Sequence, residues 1–385
     1  MRSLRKRKSN HWHRRPKSLG LLIFIMSSIG LLASCAVGPD YIEPEHTTPD
    51  RWHQEMVKGL AEGQADLQTW WRVFDDPLLN DIVERAARGN LDLKEAFARI
   101  QEARGRRGFS KGQFYPDING GGFYQRARES GDFEKLNSSG RQTENYLAGG
   151  LDGTWEIDAW GRIRRSVESA DAGLQASVEN YRDILVILYA EVASNYIEVR
   201  TLQERIRFVK SNIVTQQGSL AITRARYKAQ LTSQLDVRQA ELNLARTESL
   251  LPKLQALEVE SINRLGVLLG EYPSALYDEL IKPAQFPDPS PQTLVGLPSD
   301  LIRQRPDVRR AERQIAEQNA KIGVATADLY PAFGLGGTIG LSATTAIFDE
   351  GNHAWSVGPF FRWNLFDGGR VRARINIVDA RTQQA

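Results

Sequence analysis

The chain has 385 residues, with 50 Lys and Arg against 47 Asp and Glu, which gives a formal net charge of +3. Eight of the basic residues and none of the acidic ones lie in residues 1–34, so the remainder holds five more acidic than basic residues. The positive charge is thus confined to the N-terminus and gives no support to nucleic-acid binding. A single cysteine, Cys35, excludes a disulfide within the chain.

Residues 1–34 have the pattern of an export signal. A basic segment is followed by an apolar stretch, residues 19–32, which is too short for a comfortable membrane span. Small residues then precede Cys35, as in the bacterial lipobox, and Ala36 permits sorting to the outer membrane. We therefore expect cleavage before Cys35 and attachment of a diacylglycerol and an N-acyl chain such as palmitate. The alternatives are an ordinary signal with a chance cysteine and an uncleaved anchor.

The next stretch leads away from the predicted anchor. Residues 35–69 contain three prolines and predict an extended, lipid-anchored arm. From Trp70 onwards, apolar residues recur at helical spacing, which predicts a helix of about 30 residues. Gly89 and Asn90 predict an interruption within this helix.

The pattern then changes to alternation. Residues 118–128 are glycine-rich, and residues 145–158 alternate apolar with small or polar side chains, which predicts two strands with one apolar face. A polar loop, residues 129–144, joins them. The same pattern returns at residues 333–341 and 355–365. Strands of about ten residues fit a tilted bilayer span, although alternation alone also allows a soluble β-sandwich.

Two long helices follow the first pair of strands. Apolar residues at spacings of three and four predict a helix over residues 161–227, about 100 Å long at 1.5 Å per residue. A second helix over residues 234–268 is expected to bend at Pro252 and to end at Gly270. Residues 271–297 are rich in proline and predict a linker.

The sequence contains two copies of one unit, since residues 90–122 resemble residues 305–337. We expect the first copy, residues 70–270, to hold a helix, two strands and a long helical hairpin. The second copy, residues 298–385, stops after the start of its long helix, so we expect the chain to be C-terminally incomplete. Equivalent pairs further along the copies are Trp155 and Trp363, Gly161 and Gly369, and Arg162 and Arg370.

No arrangement of reactive groups in the sequence predicts catalysis. The five histidines are scattered, and neither a metal-ligand spacing nor a nucleophile elbow is present. The glycines of residues 334–337 faintly resemble a phosphate loop, but they lie in a strand pattern and open no helix. We therefore predict that the protein is not an enzyme and holds no metal or cofactor besides the lipid on Cys35.

Four stretches carry a resemblance to one family. Residues 35–44, 70–78, 226–237 and 297–308 resemble, in this order, motifs of TolC-like outer-membrane efflux lipoproteins, the OprM/NodT group. The resemblance implies a mainly α protomer with a membrane β part, built from four strands and long helical hairpins. Three protomers would close a twelve-stranded β-barrel in the outer membrane of a Gram-negative bacterium, continued by an α-helical periplasmic tunnel. The strand count agrees, because four strands alone leave open edges.

The same resemblance implies a function. The protein would be the outer-membrane channel of a tripartite efflux system, a passive exit duct for small toxic compounds or drugs, as in multidrug resistance. Its implied partners are two further copies of the chain, a periplasmic membrane-fusion adaptor, an inner-membrane transporter of the resistance-nodulation-division (RND) type, and outer-membrane lipid. The alternatives are a TolC-like channel for type I protein secretion or metal efflux, and a periplasmic lipoprotein scaffold or adhesin.

The resemblance also identifies a docking site. It places the turn between the two long helices, residues 229–235, at the periplasmic tip that meets the adaptor. The family commonly has glycine, the usual residue in such turns, where this chain has Gln230. Residues 231–233 would also cap the second helix. The predicted adaptor-contacting residues are Arg226, Tyr227, Leu231, Thr232, Ser233, Leu235 and Asp236.

Overall fold

The computed structural model describes most of the chain after the predicted signal. The described residues are 36–44, 53, 60–62, 68–128, 143–284, 286–287, 293–295, 298–343 and 353–385. The predicted signal, Cys35 and most of the loop predicted at residues 129–144 lie outside them. Within the described ranges, no helix combines the length and the apolar character needed to cross a bilayer.

Long helices and one larger sheet account for most of the described residues. The α-helices are α1 Pro77–Gly89, α2 Leu91–Gly112, α3 Arg162–Lys228, α4 Gln234–Leu268, α5 Tyr277–Leu280, α6 Pro298–Gln304, α7 Pro306–Ala327 and α8 Arg370–Gln384. The strands are β1 Leu60–Glu62, β2 Asp117–Arg128, β3 Thr143–Ile157, β4 Thr293–Val295, β5 Ala332–Ala343 and β6 His353–Arg362.

The first helical segment begins later than its sequence pattern predicts. The start expected at Trp70 is wrong, because that residue opens a separate 3₁₀ turn. Asp75 then adopts a left-handed conformation with φ of 47°, and Asp76 caps α1 by accepting two backbone amide bonds. The predicted interruption is confirmed, since Asn90 separates α1 from α2.

The two long helices are confirmed to within a residue of their predicted bounds. Helix α3 has 67 residues and α4 has 35. Pro252 lies inside α4. The helix ends just before Gly270, as expected. Gly270 has φ of 72°, and the amides of Gly270 and Glu271 donate back to the last turn of the helix at 2.9 and 3.0 Å.

The predicted proline-rich linker contains regular structure. Within residues 271–297, Pro273–Leu276 forms a 3₁₀ turn and leads directly into α5. Leu276 and Leu280 lie four residues apart and therefore on the same side of this helical segment. Both are fully buried in an apolar core. The first part of the predicted linker therefore contributes side chains to that core.

Four strands form one antiparallel sheet in the order β2-β3-β5-β6. All four were predicted, but β6 ends at Arg362, so the prediction that Trp363 and Leu365 belong to it is wrong. Strands β1 and β4 pair in parallel, which means that the predicted extended arm contains a short strand. The two copies fold alike, because α2 and α7 both have 22 residues and β2 and β5 both have 12.

The chain divides into two compact units, and each takes pieces from both copies. The first unit draws on the described residues of Met1–Ile42, Arg106–Ala172 and Ile315–Ala385, and the second on those of Glu43–Gly105 and Gly173–Gln314. The sheet belongs to the first unit. The second unit has an apolar core whose fully buried members include Leu79, Ile82, Val83, Val192, Tyr196, Ile262 and Leu265.

Candidate functional site

One face of the four-stranded sheet is apolar. Side chains alternate between the two faces along each strand, and the register brings like residues together. Trp355, Phe361 and Ile118 are 74%, 68% and 66% exposed. Such a continuous exposed apolar surface marks contact with lipid or with another apolar surface. The apolar face comprises Ile118, Leu147, Leu151, Trp155, Phe333, Leu335, Ile339, Leu341, Trp355, Val357 and Phe361.

The opposite face, which we call the small face, carries mostly short and polar side chains, together with the rings of Phe123 and Phe360. One complete rung across the four strands consists of Gly121, Gly150, Gly340 and Ala354. A neighbouring rung on the same face consists of Asn119, Asp152, Thr338 and Ser356. The hydroxyls of Thr338 and Ser356 lie 2.8 Å apart. Carboxylate, amide and hydroxyl groups on exposed backbone suit contact with water.

Two tryptophans make equivalent hydrogen bonds in the two copies. Trp155 donates its indole N–H to the carbonyl of Phe114 at 2.9 Å, and Trp363 donates to the carbonyl of Leu329 at 3.1 Å. Trp363 keeps this bond although it lies just beyond β6. An indole with an apolar body and a satisfied N–H is typical of the boundary between membrane and water.

The N-terminal arm is held by one buried arginine. The side chain of Arg165, in the first turn of α3, is 5% exposed. Its guanidinium donates to the carbonyls of Val37 and Gly38 at 3.2 and 3.3 Å. It also donates to Asp40 at 2.6 Å and to Glu168 at 2.8 Å. Burial opposes its charge, but the bonds to Glu168 and Asp40 outweigh that effect and raise the pKa of Arg165.

Close backbone approach completes this docking. Gly38 has φ of 89°, and a Cβ added to it would lie 2.4 Å from the Cα of Gly323 in α7. A Cβ on Gly323 would lie 2.7 Å from Cγ of Arg165. Ala36 lies against Gly161, where an added Cβ would be 2.7 Å from its Cα. The arm therefore meets the fold at the junction of β3 and α3.

We expect Gly323→Ala to displace the arm. The added methyl group would collide with Arg165, which cannot move without losing its bonds to the arm. Hydrogen exchange of the Val37 amide, which donates to the carbonyl of Trp160 at 3.0 Å, should rise by about tenfold or more.

The matched control is Gly108→Ala at the equivalent position of the first copy. A Cβ there meets no atom within 4 Å, and alanine favours a helix over glycine by about 1 kcal/mol. This variant should leave Val37 exchange unchanged. Equal exchange rates in the Gly323→Ala and Gly108→Ala proteins would contradict the docking contact.

The end of α3 is closed by a left-handed residue. Gln230 has φ of 62°, and its amide donates to the carbonyl of Tyr227 at 2.9 Å. The amide of Leu231 donates to the carbonyl of Arg226 at 2.9 Å. These two bonds form the Schellman motif that normally has glycine at the left-handed position. The turn thus keeps its usual geometry with Gln230 in place of glycine.

The start of α4 is closed by a capping box, as residues 231–233 predicted. The amide of Ser233 donates to Asp236 Oδ2 at 3.0 Å, and the amide of Asp236 donates to Ser233 Oγ at 3.3 Å. The hydroxyl of Thr232 also donates to Asp236. The bonds from Thr232 and Ser233, with the nearby charge of Arg226, lower the pKa of Asp236.

The remaining tip residues are turned towards solvent. Leu231 is 69% exposed, Leu235 is 74% exposed and Tyr227 is 44% exposed. The capping bonds use the side chains of Thr232, Ser233 and Asp236 and leave the exposed apolar side chains without a role in the turn. An exposed apolar group held on a rigid turn is suited to binding a partner.

A buried polar network lies in the second unit and was not predicted. Arg200 is 2% exposed and donates to the hydroxyl of Tyr196 at 3.2 Å, to Gln203 Oε1 at 2.9 Å and to the carbonyl of Lys282 at 3.2 Å. The hydroxyl of Tyr196 donates to Asp76. Burial and the bond to Asp76 raise the pKa of Tyr196 to about 12. The network ties the cap of α1 to the middle of α3.

Residues 305–310 supply ion pairs at the start of α7. Arg305 forms a bidentate pair with Asp307, with distances of 3.0 and 2.7 Å. Arg309 and Arg310 pair with acidic residues of α3 at 3.1 and 2.9 Å. The pairs of Arg309 and Arg310 hold the start of α7 beside α3 within the second unit.

We expect this pairing to give an acid-dependent contribution to stability. The bond from Arg305 lowers the pKa of Asp307 to about 2, from an ordinary value of 3.8. Because the folded-state pKa is depressed, the stabilisation is complete above pH about 4 and is lost as the pH falls towards 2. The difference in unfolding free energy between wild type and Asp307→Asn should shrink over that window. A difference that stays constant in denaturant titrations from pH about 2 to 6 would contradict it.

Reactive side chains do not converge in the part of the chain that the structure describes. No three His, Cys, Asp or Glu side chains there could hold a metal ion together. The glycines that faintly resembled a phosphate loop lie in β5. The ring of Phe360 covers Gly334, since an added Cβ would be 2.5 Å from it. These glycines therefore serve strand packing.

The fold matches solved outer-membrane channels. The structure of the outer-membrane channel OprN matches with a TM-score of 0.83 and 35% identity, and the match covers 91% of this chain and 78% of that one. The Campylobacter jejuni CmeC outer membrane channel matches with a TM-score of 0.78 at 20% identity, covering 91% and 75%. The fold is that of a TolC-like protomer, mainly α-helical with a four-stranded sheet.

Sequence comparison gives the family. The outer membrane efflux protein family model matches residues 82–271 and 297–385. Nodulation protein T of Rhizobium leguminosarum bv. trifolii is 31% identical over 350 residues, which are 90% of this chain and 73% of that protein. The pyoverdine export outer membrane protein OpmQ of Pseudomonas aeruginosa is 28% identical, covering 94% and 76%. The chain belongs to the outer membrane efflux protein family.

Proposed function

We propose that this protein is the passive exit duct of a tripartite efflux system for small toxic compounds or drugs. The sheet carries the proposal, because its apolar face suits lipid and its small face suits a water-filled passage. Relatives support a small-molecule cargo. OpmQ is named for pyoverdine export, and TtgI of Pseudomonas putida, 26% identical to this chain, is named for toluene efflux.

The proposed duct is a homotrimer in the outer membrane. In the described sheet, β2 and β6 are edge strands that pair on one side only. Open strand edges seek further pairing, and an apolar face in lipid leaves no water to satisfy them. Three copies would supply twelve strands and close the sheet on itself, with the small face towards the passage.

A lipid on Cys35 would strengthen this placement. The hydrogen bonds from Arg165 to the N-terminal arm hold Ala36 beside the junction of β3 and α3. Acyl chains on the preceding cysteine would therefore enter the periplasmic leaflet of the outer membrane next to the sheet. Labelling with radioactive palmitate should mark the wild-type protein and not Cys35→Ser. Label that remains on the Cys35→Ser protein would contradict lipidation at this residue.

The turn between α3 and α4 is the proposed contact with the periplasmic adaptor. The adaptor would connect the duct to an RND-type inner-membrane transporter, which would deliver the solutes. Leu231 and Leu235 are its most exposed apolar side chains. The capping box holds the turn without using them. A partner that covers both leucines would gain apolar burial at a site that needs no reordering on binding.

The test uses Leu231→Asp, with Leu231→Met as matched control, in a Gram-negative strain that lacks the native protein. Leu231→Asp should lower dye efflux to that of the empty strain, because a charge would be buried at the contact. Leu231→Met should export normally, and both variants should form outer-membrane trimers that resist mild detergent. Normal efflux by Leu231→Asp would contradict the adaptor contact. Absence of wild-type trimers would contradict the exit duct itself.

A further inference from the structure

A concavity lies on the small face of the sheet. Its volume is about 520 Å³, and it is lined by residues of all four strands. Its floor is the rung of Gly121, Gly150, Gly340 and Ala354, which leaves the backbone uncovered. The volume lies within the range of about 300–1,000 Å³ that small-molecule sites occupy. Its walls are formed by Phe123, Ala148, Asp152, Thr338 and Ser342.

The two ends of the concavity differ in chemistry. Phe123 stands at one end and is 57% exposed. Asp152 stands at the other end, four residues away along the strand direction, or about 14 Å. Among the described residues, the carboxylate of Asp152 has no hydrogen-bond or ion-pair partner, whereas the nearby hydroxyl of Thr338 is bonded to Ser356. An aromatic ring and a free negative charge therefore face the same concavity.

We propose that this concavity is a transient binding site for elongated organic cations that carry an aryl group at one end and an ammonium group at the other. The carboxylate of Asp152 attracts the ammonium group, and the ring of Phe123 contacts the aryl group. The glycine floor leaves room for the linker between them. The proposal rests on the exit-duct function, since only a sheet closed around a passage brings solutes to this face.

Three probes distinguish the contribution of the ammonium charge from that of the aryl ring. The protein in zwitterionic lipid nanodiscs is titrated with 4-phenylbutylammonium, with 4-phenylbutyrate and with butylammonium, and affinity is measured by saturation-transfer NMR against empty nanodiscs. 4-Phenylbutylammonium should bind at least about fivefold more tightly than either other probe, because only it satisfies both ends. Equal affinities for 4-phenylbutylammonium and 4-phenylbutyrate would overturn the proposal.

Variants locate the binding. Asp152→Asn should weaken 4-phenylbutylammonium by about fivefold, and Phe123→Leu should weaken it while leaving butylammonium unchanged. Gly121→Leu should weaken binding of 4-phenylbutylammonium, because the leucine side chain would occupy the floor of the concavity. A Cβ at Gly121 meets no atom within 4 Å, so the leucine fits without a clash. The matched control is Asp117→Asn, which removes a carboxylate from the same face outside the concavity. Equal losses in Asp152→Asn and Asp117→Asn would overturn the site.

Ion conductance in planar bilayers separates the two proposals. Conductance with equal binding of the three probes would support the exit duct and contradict the cation site. A protein that does not conduct contradicts the exit duct, and with it the route by which solutes would reach Asp152. Conductance together with selective binding of 4-phenylbutylammonium supports both.

Discussion

Arg200→Ala is expected to destabilise the protein by about 3–5 kcal/mol. The guanidinium is buried and bonded to the hydroxyl of Tyr196, to Gln203 and to the carbonyl of Lys282. Its removal leaves the buried side-chain oxygen of Gln203 without this donor and opens a cavity in the core. Denaturant unfolding of the purified protein, followed by tryptophan fluorescence, measures the loss.

Arg207→Ala is the matched control on the same helix. The side chain of Arg207 is 66% exposed, and it pairs with Glu204 three residues earlier. Exposed pairs of this kind contribute little to stability, so the unfolding midpoint should hardly move. Equal shifts for Arg200→Ala and Arg207→Ala would show that burial of the Arg200 network does not stabilise the fold.

Gly150→Val is expected to prevent the sheet from forming. A Cβ on Gly150 would lie 2.6 Å from the carbonyl oxygen of Ile339 and 2.8 Å from the Cα of Gly340. Both atoms belong to the backbone of β5, which cannot retreat without breaking its register with β3. Overpacking of this kind costs on the order of 3 kcal/mol. Outer-membrane fractions should therefore contain no heat-modifiable trimers of this variant.

Gly121→Val provides the control on the same rung. A Cβ on Gly121 meets no atom within 4 Å, and valine favours an extended backbone. This variant should reach the outer membrane at the wild-type level. Loss of trimers from both variants would show that the requirement for glycine extends to Gly121, where no close contact exists, and trimers of Gly150→Val would contradict the close contact between β3 and β5.

Periodicity in the sequence predicted most of the regular elements. The bounds of α4 are those predicted, residues 234–268, because its apolar spacing, the cap at Ser233 and the stop at Gly270 are all local signals. The start of α1 was missed, since Trp70 continues the apolar pattern while the cap at Asp76 decides where the helix begins. The proline content after residue 271 predicted only a linker and gave no sign of the helical turn whose leucines, Leu276 and Leu280, enter the core.

The burial of Arg165 and Arg200 could not be predicted from the residues that neighbour them in sequence. Arginine in a helix is ordinarily exposed, so the sequence offers no signal that Arg165 and Arg200 are buried. Arg165 is satisfied by Val37, 128 residues away, and Arg200 by Lys282, 82 residues away. Partners so distant in the chain follow from packing and leave no pattern near the arginine.

The sequence by itself determined the two faces of the sheet, the lengths of the long helices and the duplication. Each of these depends on residue spacing, which acts over one turn or one strand. Only the tertiary structure decided which equivalent glycines are free to change. Gly108 and Gly323 occupy the same position in the two copies, yet the first borders open space and the second touches Arg165 and Gly38. The copies share local geometry, but the described part of the N-terminal arm lies against Gly323 and not against Gly108, and that contact distinguishes the two glycines.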